Sequence, residues 1–339
     1  MAKITVKKLR EEVENIEIQT EKLINLLRQN HLSLTELSEI LDLPEKNVKK
    51  KLKELSRQNY RVSFVDDLYF LEEAKSGKTF LNHKMWQGDT IKIGVVSDNH
   101  LGSNFAREDV LHMLYDLFED EGIQTVIQTG NMVEGEARFN RNELKVWGFD
   151  KQCAYAVENY PYRKGITTNF ITADDHEGWW AQREGINFGE HIQHMRKDAG
   201  KNDFNHLGYL EADIELNGGK FPNEMWLRAM HPGGGSSYAT SYTVQKIVES
   251  MQPGEKPHIL IVGHYHKQLF FPVRGVWTLQ PGCTCDQGIY LRKNKIEVAL
   301  GGAILEITRN SEGIPVRCKG ELIQVFDKKF YIGKNKYWK

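Results

Sequence analysis

The sequence predicts a layered α/β protein with a smaller helical module ahead of it, and three observations carry that prediction. From Ile91 onward, β-branched apolar runs alternate with helical stretches. Five of those runs stop abruptly in clusters of carboxylates, amides and imidazoles. Residues 1 to about 90 read differently, as short amphipathic helices and a hairpin. A chain of 339 residues suits two domains, or one large domain with an appendage.

Composition narrows the classes. A formal net charge of −1 excludes a chain coated in positive charge, so nucleic-acid binding must come from local patches. The four cysteines, Cys153, Cys283, Cys285 and Cys318, are widely spread apart from one Cys-x-Cys. No second Cys or His pair at zinc spacing accompanies Cys283 and Cys285, which read as ordinary strand or loop residues. No secretory signal opens the chain and no apolar run approaches a membrane span. A soluble cytoplasmic protein with free thiols is expected.

The N-terminal elements follow in order. Val6 to Glu17 is charged, a short helix or a loose arm. From Thr20, Leu23, Ile24, Leu26 and Leu27 fit one helical face. Ser33-Leu-Thr-Glu36 is a capping-box pattern, and Leu37, Ile40 and Leu41 mark the helix it opens. Pro44 is placed to open a third helix, Glu45 to about Gln58, with Val48, Leu52 and Leu55 on its inner face. Lys49, Lys50, Lys51, Lys53 and Arg57 cover its remaining surface. Tyr60–Val65 and Leu68–Leu71 form a hairpin around Asp66-Asp67. Three helices and a hairpin resemble a winged helix-turn-helix over residues 1–75, with Lys49, Lys50, Lys53 and Arg57 as DNA contacts on the recognition helix. Dimerisation or protein contacts are the alternative use of such a module. Residues 76–90 read as a linker; Gly77-Lys78-Thr79 lacks the upstream glycine of a P-loop.

The core occupies residues 91–325. Its strands run through Val95-Val96, Val126-Ile127, Phe170-Ile171, Trp226-Leu227 and Ile259–Val262, with later strands at Val276–Leu279 and Ala303–Ile307. Val110 to Glu119 is one of the intervening helices. The polar clusters are Asp98-Asn99-His100, Gly130-Asn131-Met-Val-Glu134, Asp174-Asp175-His176-Glu177, His231 and Gly263-His264-Tyr265-His266. If the first strand stays extended, Asp98 and His100 point to the same side. Oxygen and imidazole donors at successive strand ends suit one or two divalent ions.

This ordered set resembles the metallophosphoesterase (calcineurin-like) superfamily, whose blocks run Asp-x-His, Gly-Asp, Gly-Asn-His-Asp/Glu, His and Gly-His-x-His. The resemblance covers about residues 91 to 310 and implies two packed sheets flanked by helices. It implies that Asp98, His100 and His266 hold a first metal, that Asp175, His231 and His264 hold a second, and that Asn131 bridges them. Manganese is the expected ion, with magnesium, iron and zinc as alternatives. His176 then contacts the scissile phosphate and assists the leaving group, with Asp175 beside it in the catalytic set.

The chain departs from the family at two positions that together look like a swap. Asn131 stands where the family has its bridging Asp, and Asp175 where it has its metal-binding Asn. Asp174 replaces the Gly before that Asn, as a source of charge or a turn residue. An altered active two-metal centre, a centre holding one ion strongly, and a disabled enzyme retained for binding all remain open. Asn99 and Glu177 fall where residues orient imidazoles, or cap their own loops. Trp179-Trp180 reads equally as base-stacking rings or as core. His191, His194, His206 and His258 read as structural, the Gly233–Ser237 run as a loop, and residues 326–339 as a basic, aromatic tail.

The function expected is a metal-dependent phosphodiesterase acting on DNA, resembling in outline the SbcD-type repair nucleases. Those carry their accessory module after the catalytic domain rather than before it. The alternatives are a phosphatase or phosphodiesterase on a small nucleotide or protein phosphate, and a catalytically disabled DNA-binding member. DNA is the expected partner, with no membrane; a homo-oligomer is left open.

Overall fold

The computed structural model describes residues 20, 22–24, 26–27, 30, 32–57, 61–65, 67–72, 78–80, 89–218, 221–235, 237–252 and 254–326. The chain divides into two compact units, Met1–Ser76 and Gly77–Lys339. Val6 to Glu17 and the tail beyond Phe326 lie outside the described residues.

In the first unit, strand β1 (Leu32–Ser33) leads into the helix Leu34–Leu41, and Ser33 caps it. The Glu36 N–H donates to Ser33 Oγ at 3.3 Å while the Ser33 N–H donates to Glu36 Oε2 at 2.7 Å, the reciprocal capping box. Asp42, in left-handed conformation at φ 52°, ends that helix. Helix Glu45–Arg57 opens on Pro44, whose carbonyl accepts from the Asn47 and Val48 N–H groups. Leu23, Leu27, Leu37, Leu41, Val48, Leu52 and Leu55 make the core, whereas Ile40 is exposed. Strands β2 (Arg61–Val65) and β3 (Leu68–Glu72) pair as the expected hairpin, and β1 adds to β3. Lys49, Lys50 and Lys53 are exposed; Lys51 is half-buried, with its Nζ 3.4 Å from Thr20 Oγ1. Arg57 closes the helix, and its side chain lies outside the described residues.

The second unit is built on two six-stranded sheets. Lys78–Phe80, within the stretch expected to be linker, is instead strand β4, parallel to β9 at a sheet edge. Strands β5 (Thr90–Val96), β6 (Thr125–Thr129), β7 (Thr167–Thr172) and β8 (Phe204–Tyr209) run parallel. The second sheet contains β9 (Glu211–Glu215), β10 (Trp226–Met230), β11 (Ile259–Val262), β12 (Gln268–Val273) and β13 (Val276–Pro281). Strands β14 (Gly301–Arg309) and β15 (Pro315–Gln324) return antiparallel to complete the first sheet beside β5.

The two sheets face each other across one apolar core. Ile91, Ile93 and Val95 of β5, with Ile127 and Ile171, pack against Leu227, Ala229, Ile259, Ile261 and Leu279. The outer face of the first sheet is covered by helices Glu108–Asp120, Phe149–Asn159 and Phe188–Asp198, through Leu114, Phe118, Cys153 and Ile192. Gly94 lets Phe118 lie flat on β5, since a Cβ there would sit 2.9 Å from its ring. Helix Tyr242–Ser250 covers the other sheet through Val244 and Val248. Burial on both faces explains why β6 and β11 are buried along their whole length rather than alternating. The architecture is therefore two packed sheets flanked by helices. Among the described residues no helix is long and apolar enough to cross a membrane.

Candidate metal centre

All five polar clusters lie beyond the carboxyl ends of parallel strands, β5, β6 and β7 in one sheet and β10 and β11 in the other. That is the edge at which open α/β sheets gather their ligands. The local geometry is not the expected strand alternation. Strand β5 ends at Val96, and Asp98 and His100 adopt left-handed backbone at φ 50° and 53°. Asn131, His264 and His266 do the same, at 52°, 74° and 54°. Five of the ten non-glycine residues with positive φ, among the described residues, are thus candidate ligands. Each such residue costs roughly 1–2 kcal/mol, and conformations of that kind persist where the surroundings over-determine them. Here the Asp98 N–H donates to the Gly130 carbonyl, and those of Asn99 and His100 to the Asn131 carbonyl.

Each imidazole is tethered at one nitrogen, leaving the other to face the centre. His100 Nδ1 meets Glu134 Oε2 at 2.9 Å, and His231 Nδ1 donates to the Thr129 carbonyl at 2.6 Å. His264 Nε2 donates to the Gly234 carbonyl at 2.8 Å, and His266 Nδ1 lies 3.6 Å from Cys285 Sγ. His176 Nδ1 donates to the Glu134 carbonyl. Such partners fix the tautomer and ring plane of a metal-binding histidine. Gly130 makes the His231 placement possible: it takes φ 88°, and a Cβ there would stand 2.4 Å from His231 Nδ1.

The free nitrogens and carboxylate oxygens form two adjoining sets. In the first, His266 Nε2 is 3.3 Å from both Asp98 Oδ1 and His100 Nε2. In the second, Asp175 Oδ2 is 3.6 Å from His231 Nε2 and 3.4 Å from His264 Nδ1. Asp98 Oδ1 joins the sets, at 3.9 Å from both His100 Nε2 and His231 Nε2. Ligands about 2.1 Å from a shared ion stand roughly 3.0–3.5 Å from each other, so both sets are close to coordination spacing. Asp98 Oδ1, Asn131 Oδ1, Asp175 Oδ1 and His231 Nε2 are buried with no hydrogen-bond partner. Orphaned polar atoms are costly in a closed site, and Asp98 Oδ1 and His231 Nε2, 3.9 Å apart, fit a cation. Asn131 Nδ2 donates to Asp175 Oδ2 at 3.0 Å, which leaves the amide one oxygen for an ion.

No protein-family model matches the chain, and no curated protein matches it. Solved structures similar to it include an archaeal phosphodiesterase at 15% identity, covering 69% of this chain and 100% of that one, with TM-score 0.38. A phosphoesterase predicted from Streptococcus pneumoniae is also 15% identical, with coverage of 69% and 98% and TM-score 0.32. A zinc-bound Vps29 from Entamoeba histolytica is 15% identical, with coverage of 68% and 98% and TM-score 0.31. These likenesses are too loose to carry an argument, and the site stands on its own geometry.

Its electrostatics are those of interlocked opposite charges. Burial would raise the Asp98 carboxyl, yet the imidazoles of His266, His231 and His100 hold it below the ordinary range. Asp175 is likewise held low against burial by His176, His231 and His264. Burial pulls His231 down, but Asp175 and Asp98 overcome it and raise it to about 9. His176 is raised by Asp175 and Glu134, again against burial.

Several neighbours take one of the roles the sequence left open. Asn99 and Glu177 hold no imidazole. Asn99 bridges Thr284 and Gln128, while the Glu177 carboxylate accepts the N–H groups of Asn131, Val133 and Ala173. Asp174 is a turn residue, taking a hydrogen bond from Gln182. Trp180 packs against Phe149 in the core, and Trp179 lies near Arg183; neither lines the site. His206 and His258 bind backbone groups, and Cys285 lies against His266 despite the ordinary role expected of it. The Cys285 contact carried no sequence signal, because the two residues belong to different strand connections.

Proposed function

We propose that this chain is a divalent-metal-dependent phosphodiesterase acting on DNA. The observation that carries the hydrolytic part is the set of four unpartnered buried atoms at the meeting of two sheets. Asp98, His100 and His266 would hold one ion and Asp175, His231 and His264 the other, with Asn131 Oδ1 shared between them. Bound there, divalent ions supply Lewis acidity toward phosphoryl oxygens and a nucleophile from water at neutral pH. His176, 3.8 Å from Asp175 and raised toward its charged form, is placed to donate a proton from Nε2 to the departing oxygen. Its Nδ1 is committed to the Glu134 carbonyl, so only Nε2 faces the site. Support for DNA comes from the exposed Lys49, Lys50 and Lys53 on helix Glu45–Arg57.

The test is hydrolysis of bis(4-nitrophenyl) phosphate and of labelled linear DNA with manganese, for the unaltered chain, Asn131→Asp and His176→Ala. Turnover that falls about 10²–10⁴-fold in His176→Ala is the expected result. Silence in the unaltered chain with activity in Asn131→Asp would establish a disabled enzyme. Salt-dependent DNA binding that survives Lys49→Ala/Lys50→Ala/Lys53→Ala would remove the N-terminal module from substrate recognition. A second reading, a small phosphodiester as substrate, draws on the pocket itself: among the described residues, no Lys or Arg lines it.

A further inference from the structure

The pocket over the candidate metal centre, about 260 Å³, has two unlike halves. One holds the imidazoles, Asn131 and Asp175. The other is a wall of Phe105, Phe139, Tyr290 and Leu291. Phe139 is 55% exposed and Tyr290 48% exposed, so neither ring is consumed by the core. Their centroids are 5.2 Å apart, and Phe139 meets the His176 ring edge-on at 5.8 Å. The aromatic wall therefore begins beside the residue assigned to the leaving group.

The wall is anchored rather than loose. Glu143 Oε1 accepts the Tyr290 N–H at 3.0 Å, and the Glu143 carbonyl accepts the Asn104 N–H at 2.8 Å. The Asp286 N–H donates to the Phe105 carbonyl, tying the loop before Tyr290 to the one after His100. On the opposite side, Asn140 Oδ1 accepts the Ala137 N–H and its Nδ2 donates to Glu134 Oε1, closing the loop that carries Phe139. Exposed aromatic side chains on a cross-linked frame bind a flat ring without first paying to order themselves.

We infer that Phe139 and Tyr290 form a base-stacking subsite, which selects phosphoesters whose phosphate is one sugar away from a nucleobase. This rests on the phosphate-binding half of the proposed function and names the group the site recognises. Stacking tolerates every base, because each has a π-face. A wall that carries no cation leaves recognition to the ring and to the ions, not to further phosphates. The carboxylates beside it are engaged: Glu143 with Tyr290, and Asp286 with Arg107 at 3.3 Å.

The test is calorimetric binding of adenosine 5′-monophosphate and of ribose 5-phosphate to the full chain with manganese. Phe139→Ala, Tyr290→Ala and Phe139→Trp are measured alongside. The unaltered chain is expected to prefer the nucleotide by at least about fivefold, the lower end of what one stacked base supplies. Either alanine variant should lose that preference while keeping its affinity for ribose 5-phosphate, and Phe139→Trp should retain it. Equal binding of the two ligands by the unaltered chain, binding of neither, or a parallel loss of both in the alanine variants overturns the subsite. A short single strand ending in a base or in an abasic sugar, run the same way, assigns the ring to a polymer if the preference appears there and to a free nucleotide if it does not. Nucleotide preference without phosphodiester turnover keeps the subsite and overturns the catalytic reading. Phosphodiester turnover with equal binding of adenosine 5′-monophosphate and ribose 5-phosphate keeps the catalytic reading and overturns the subsite.

Discussion

Glu177 is the residue whose replacement gives the sharpest measure of how this centre is held together. Its side chain is buried, and its two oxygens serve three backbone donors from two different loops. Oε2 accepts the Asn131 N–H at 3.0 Å and the Ala173 N–H at 2.8 Å, and Oε1 accepts the Val133 N–H at 3.1 Å. The carboxylate thereby ties the loop after β6 to the loop after β7, the two that carry Asn131 and Asp175. Glu177→Ala would orphan all three donors at roughly 1–3 kcal/mol each, enough to threaten a domain of ordinary stability. Glu177→Gln is the better probe. Its single oxygen can keep the two-donor position, leaving the Val133 N–H against an amide NH₂, a loss of about 2 kcal/mol. Burial pushes the Glu177 carboxyl up to about 7, so the comparison belongs at pH 8, where it is ionised. Urea unfolding should show the stability loss, and calorimetry with manganese should show weaker ion binding as Asn131 and Asp175 lose their mutual register. An unchanged urea midpoint together with unchanged ion affinity would refute this account of the centre.

Three other outcomes follow from the same geometry. Asn131→Asp replaces the amide that donates to Asp175 by a like charge; the metal-free protein should lose stability, and calorimetry should show ion affinity at least about tenfold tighter, roughly 1.4 kcal/mol. In the metal-free chain His231 is raised from 6.5 to about 9. A raised histidine contributes stability that is complete below 6.5 and lost as pH climbs through 9, a ceiling of roughly 3 kcal/mol. The metal-free urea midpoint should therefore fall across that interval, while ion binding tightens and releases protons; a flat profile would count against the coupling. Gly130→Ala forces a Cβ to 2.4 Å from His231 Nδ1 at φ 88°, so His231 must leave the Thr129 carbonyl. Elemental analysis should find about one ion fewer per chain, with a lower melting temperature; full metal content at unchanged stability would contradict it.

How far the sequence could be read depends on the distance over which each feature is encoded. The capping box at Ser33 and Glu36, the apolar face of helix Glu45–Arg57 and the hairpin after it are set by residues within four positions of one another, and they were legible. So were β5, β6, β7, β10 and β11, through their apolar runs, whereas β8 and β9, with polar residues interleaved, were not. Strand alternation is not what pairs Asp98 with His100. Alternation holds only while the strand continues, and β5 stops at Val96. The residues reach one site through left-handed backbone, which non-glycine sequence does not announce. For Trp179-Trp180 the sequence leaves base stacking and core packing equally open, and the structure turns both into a helix away from the pocket.

The sequence by itself determined the layered α/β class, the strands that end in the five polar clusters and the inventory of donors at their ends, because periodicity and residue chemistry are local properties. Only the tertiary structure decided which nitrogen of each imidazole is free, that Asp98 Oδ1 stands between the two donor sets, and that Asn131 turns its amide nitrogen to Asp175. It alone brought Glu134 to His100, Cys285 to His266, and Phe139 to Tyr290, more than a hundred positions later in the chain. Those contacts join loops from separate strand connections, and their geometry is set by how two sheets pack across a shared core, which no window along the chain contains.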